Sequence, residues 1–119
     1  MPWQGGPYEP EDIVIPDPQT EATVFIGNPA EIGLIVPTLG TATTVTLQVG
    51  LESDGSDAVG IVDQGGTAKL ALASGSGGVA ISSLDMGAVL GYPYLTIVLG
   101  AAQAADVTFT LVKKSVSVA

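Results

Sequence analysis

Apolar and polar residues alternate with a period of two in short segments, and glycine, proline, serine or aspartate separates one segment from the next. That texture predicts β-strands in a sandwich or barrel, because one face of each strand must turn inward. The clearest segment is 43–51, where Val45, Leu47, Val49 and Leu51 share one face and Thr44, Thr46, Gln48 and Gly50 the other. Its threonine face is expected to be wet. Residues 106–112 repeat the scheme, with Val107, Phe109 and Leu111 opposite Thr108 and Thr110. Further strands are predicted at 22–26, 32–36, 58–62, 68–72, 79–82 and 95–99, roughly eight in all. Segment 95–99 is apolar on both faces apart from Thr96, which suits a central strand or one whose outer face meets another chain. Residues 85–90 predict a single helical turn, ended by Gly91 and kept from resuming by Pro93.

Tight turns are expected at 27–29, 54–55, 65–66 and the glycine-rich stretch 75–78. Links this short impose antiparallel pairing, since parallel strands need longer crossovers. The expected fold is therefore all-β: an antiparallel, jelly-roll-like β-sandwich of about eight short strands over residues 22–119.

Residues 1–21 break the pattern, holding five of the eight prolines and five of the twelve acids. Proline fixes φ and lacks an amide donor, so this segment is expected to lie extended as an arm, neither helix nor central strand. Such an arm is either a solvated tail or a strap that orders along a neighbouring subunit. Trp3, Tyr8, Ile13, Val14 and Ile15 favour the strap, because a tail in water has little use for large apolar side chains.

The 119 residues fit one domain. The chain has no cysteine, histidine or arginine, which removes disulfides, thiolate or imidazole metal sites, imidazole bases and arginine clamps on phosphate. An enzyme is not expected. A net charge of −9 repels nucleic acid and anionic membrane, so neither is an expected partner. Charged residues are only 13% of the chain and the mean hydropathy is +0.49, which points to apolar surface covered by other subunits. No apolar run reaches membrane-spanning length and the N-terminus lacks the form of a signal peptide, so the chain is expected to be made in the cytoplasm.

The acids Glu52, Asp54, Asp57 and Asp63 have the chemistry of a hard-cation site, with a cation at Asp54 and Asp57 the specific possibility. Their spacing misses the EF-hand pattern, and the simpler reading is a hairpin loop in which aspartate and serine cap turn amides. No cofactor is expected. Residues 75–78 lack the lysine and helix of a phosphate loop and read as a hairpin tip. Lys113, Lys114 and Ser115 read as lysines guarding an edge strand, with serine–lysine chemistry the remote alternative. Tyr92 and Tyr94 flank Pro93 in a stiff amphipathic knuckle, either a contact patch or a corner covering the core.

The stretches TTVTLQVGLESDG from Thr43 and GYPYLTIVLGAAQAADVTFTLVKK from Gly91 resemble small β-sandwich virion proteins of tailed bacteriophages, and in role the head decoration, or cement, proteins. The resemblance lies in strand texture and begins at Thr43. It implies a homo-oligomer, a trimer by preference, on the outer capsid surface, clamping neighbouring copies of the major capsid protein. Trp3, Tyr8, Ile13, Val14 and Ile15 would then be arm anchors, and Tyr92 and Tyr94 a second contact patch. Glu9, Glu11, Asp12 and Asp17 would steer the arm toward a basic groove. The alternatives are a carbohydrate-binding or host-adhesion module, a head fibre or a small tail component.

Overall fold

In a computed structural model, residues 8–62, 64–66 and 68–115 are described, with backbone alone at 68, 69 and 71–76. Eight strands run through them: β1 (Tyr8–Ile15), β2 (Glu21–Phe25), β3 (Glu31–Gly50), β4 (Val59–Val62), β5 (Ala68–Lys69), β6 (Ala71–Ile81), β7 (Tyr94–Leu99) and β8 (Val107–Lys114). A helical turn, α1 (Ser83–Met86), continues into a 3-10 turn at Gly87–Val89. All strand pairs are antiparallel, as the short links require.

The 20-residue β3 organises everything else. Along one edge, its first part takes β8 (Glu31 to Ile35 against Lys114 to Thr110) and its last part takes β7 (Val45 to Gly50 against Leu99 to Tyr94). Along the other edge it takes β6 over most of its length, then β4. β1 lies outside β8 and β2 outside β7. One layer thus runs β1-β8-β3-β6, and the second runs β2-β7-β3 with β6 and β4 beyond. Because β3 and β6 pass through both layers, the sandwich is continuous on that side and approaches a barrel.

The alternation seen in the sequence becomes burial. Val45, Leu47, Val49, Leu95, Ile97 and Leu99 of the second layer meet Ile32, Leu34, Val36, Phe109 and Leu111 of the first in one buried cluster. Met86 and Val89 of the helical turn close one end of it. Ser82 caps the turn by accepting the Asp85 amide. Gln103, itself buried, clamps the middle of β3: its side-chain oxygen accepts the Thr41 amide at 2.8 Å and its nitrogen donates to the Thr41 carbonyl at 2.9 Å.

Four expectations are corrected. Residues 8–15 are not a free arm: eight consecutive residues pair with β8, and Ile13 and Ile15 are buried in this chain's own core. Pro10 is tolerated because β1 is an edge strand, whose outward amides need no ladder partner. Segments 32–36 and 43–50 belong to one strand, bent where the ladder with β6 slips between Thr38 and Thr43, and Leu51 lies past its end, 69% exposed and not on the inward face. The 75–78 glycine stretch is no hairpin tip; it lies inside β6, with Gly77 and Gly78 at φ +73 and +74 just before the ladder with β3 slips between Gly77 and Gly75. Finally, β8 is sandwiched between β1 and β3, so Lys113 and Lys114 guard no edge.

Candidate functional site

The outward side chains of the first layer form rows that the register defines. Pro10, Val112 and Gly33 make one row, Asp12, Thr110, Ile35 and Ala80 the next, and Val14 with Thr108 a third. Val14 is 47% exposed and Ile35 48%. Asp12 is the one charged residue in these rows. A solvated sheet face ordinarily carries charges at such positions, so this one is unusually dry in character.

Charge returns at the rim, already paired. Lys114 sits over the Tyr8 ring, 5.4 Å from its centroid, and reaches Glu31 at 3.6 Å, linking three adjacent strands. A cleft of about 150 Å³ opens there between Tyr8, Gly33, Ser83, Val112 and Lys114. Lys113 points the other way, bonding Glu11 at 3.0 Å and donating to the Phe25 carbonyl at 3.0 Å. The described part of the face therefore carries exposed Val14 and Ile35 with Asp12 as its one charge, and paired ions at its border, a layout compatible with a protein contact surface.

The second layer's outer face is built differently. Thr23 and Thr96 share a hydrogen bond of 2.8 Å, and Thr96 is only 3% exposed although it points outward. The cover is the loop 51–58. Gly55, at φ +74, lies so close that a Cβ there would strike the Thr23 hydroxyl. The threonine face expected to be wet is thus partly roofed. Asp57 holds the loop by accepting the Leu51 and Glu52 amides at 3.0 and 3.1 Å. Replacing it with alanine strands both amides, and Asp57→Ala should lower stability by about 1–2 kcal/mol in a denaturant titration. Asp54 accepts the Ser56 amide at 2.9 Å, and that bond, with the Ser56 hydroxyl, holds its carboxyl below the usual aspartate range. A carboxyl lowered in this way favours the folded loop at neutral pH, and its contribution fades as pH falls through the folded-state value.

These acids act as turn caps, and among the described residues no group of three metal-ligating side chains comes together. Asp63 lies outside the described residues. So does Trp3. Of the other expected anchors, Tyr8 and Val14 are exposed, whereas Ile13 and Ile15 face inward and are not available to a partner in the folded chain. Tyr94 is half-buried with its ring 5.5 Å from that of Phe25, its register partner, and Tyr92 is exposed. Glu11 is engaged with Lys113, while Glu9, Asp12 and Asp17 are exposed.

Sequence reading missed Ile35 and Phe25 as surface residues. The signal for Ile35 was present: in Ile32-Gly33-Leu34-Ile35-Val36 the inward set is 32, 34 and 36, which leaves a large apolar side chain on the outward phase. No family model, no curated protein and no solved structure matches the chain. What the structure defines is a class: an all-β, antiparallel sandwich with a charge-poor outer sheet face.

Proposed function

We propose that the protein is a non-catalytic structural component of a larger assembly, a decoration or cement protein of a tailed-phage virion that sits on the outer capsid surface. The single observation that supports the binding mode is the exposed, charge-poor face around Val14, Ile35 and Val112. The resemblance in strand texture supplies the particle, with the major capsid protein as partner. A charge-poor face with a paired ionic border docks by shape and desolvation, and many copies on one shell add through effective concentration. Tyr8 and Val14 remain as anchors, now on a strand of the domain itself. No bond is made or broken in this mode.

The test is co-sedimentation with capsids of the source phage. Ile35→Lys places a charge at the centre of the face without touching the core, and should weaken binding about tenfold or more, equivalent to about 1.4 kcal/mol. Unchanged binding by Ile35→Lys and by Val14→Lys would remove this face from the mechanism.

A second reading, carbohydrate or host adhesion, draws on one observation: the rings of Phe25 and Tyr94 pair where β3 ends at Gly50, with exposed Tyr92 two residues before Tyr94, and rings of this kind stack on sugars. A specific hit on a glycan array, lost in Tyr92→Ala, would favour it.

A further inference from the structure

The strand edges of this molecule are not alike. β1 carries Glu9, Pro10, Glu11 and Asp12 along its free edge, and β2 is five residues long with Glu21 at its start. β4 and β5 are four and two residues long. Charge, proline and brevity are the ordinary means of keeping an edge from pairing with another chain.

β6 has none of them. It runs eleven residues, Ala71–Ile81, without a single charge or proline. Its one neighbour among the described strands is β3, on the same side throughout, because β8 and β7 occupy β3's opposite edge. The ladder with β3 slips on either side of Gly75, yet β6 remains one strand of eleven residues, about twice the average length. Among the described residues, no strand pairs with the other edge of β6.

We infer that two copies of this chain join by antiparallel pairing of β6 with β6 about a two-fold axis. The occupant follows from charge. Each copy carries −9, so two copies attract only where they can meet without opposing carboxylates, and among the described strands β6 is the long edge that allows it. An antiparallel strand is also complementary to itself, since wherever residue i of one copy meets residue j of the other, j of the first meets i of the second across the axis. Ala80 of β6 continues the row of Ile35, so the pairing would carry the apolar outer faces of two copies into one surface. That consequence rests on the capsid-binding reading. The contact itself does not.

The measurement is the mass of the full-length protein in solution by sedimentation velocity over a wide concentration range. A dimer is expected, not the trimer that the resemblance implies. Val79 is 51% exposed, so Val79→Lys charges the edge without disturbing the core. It should raise the dimer dissociation constant about tenfold or more. Hydrogen exchange of the native protein is the second readout, with amides of 71–76 gaining protection as the concentration rises. A monomer at every concentration, a trimer, or a dimer indifferent to Val79→Lys with no protection in 71–76 would overturn the inference. Capsid co-sedimentation of the same variant reports separately on the function proposed above.

Discussion

Removing residues 1–15 should abolish cooperative unfolding of what remains, instead of releasing a folded domain from a dispensable arm. β1 contributes two fully inward isoleucines, Ile13 and Ile15, each worth about 1.5–3 kcal/mol of burial. It also supplies the whole ladder along β8. Its loss leaves the Phe109 and Leu111 layer open at one side, and the sum is comparable with the about 5–15 kcal/mol that separates folded from unfolded domains. Circular dichroism during heating is the check: a broad, non-cooperative trace for the truncation. Ile15→Ala, which keeps the ladder and leaves a cavity, should still fold and lose about 2–5 kcal/mol. A truncated chain that melts as sharply and as late as the full one would show β1 to be a true arm.

The second large effect is expected at Gly77. Its φ of +73 is costly for any residue with a Cβ, by about 1–2 kcal/mol. A Cβ there would in addition strike the Pro37 carbonyl oxygen, with the carbonyl carbon at 3.1 Å and the Leu39 side chain at 3.3 Å. Backbone cannot swing away as a flexible side chain can, so β3 itself would have to shift at its bend. Gly77→Ala should cost about 3 kcal/mol or more. Gly78→Ala is the control, because it has nearly the same φ but meets only the Thr38 hydroxyl, at 3.3 Å. It should cost about 1–2 kcal/mol. Equal losses in the two variants, read from denaturant midpoints, would mean that the close approach to Pro37 carries no weight.

The fold class was legible because alternation maps directly onto burial: Val45, Leu47 and Val49 are inward as expected, and so are Val107, Phe109 and Leu111. The helical turn was legible too, displaced by two residues because its signal was the stop at Gly91 and not the Ser82 cap. Proline and glycine misled wherever a tertiary contact uses them. Pro10 reads as a strand breaker, but an edge strand tolerates it, and the alternation of Ile13 and Ile15 against Val14 carried the better message. Gly77 and Gly78 read as a turn, yet their left-handed backbone lies within β6, where it crosses the bend of β3. That bend was hidden for a related reason, since Pro37 and Gly40 divide β3 into two segments that look independent. The outer face needed the register: Val14, Ile35 and Val112 are far apart in sequence, and only the pairing of β1, β8 and β3 places them side by side.

Electron microscopy of the native particle tests most directly whether this protein works by docking its outer sheet face. The expected map has density for this sandwich on the outside of the shell, with Val14 and Ile35 turned toward capsid protein and the 51–58 loop turned to solvent. A map in which these two residues face open water while another surface makes the contact, or particles that lack the protein altogether, would contradict it.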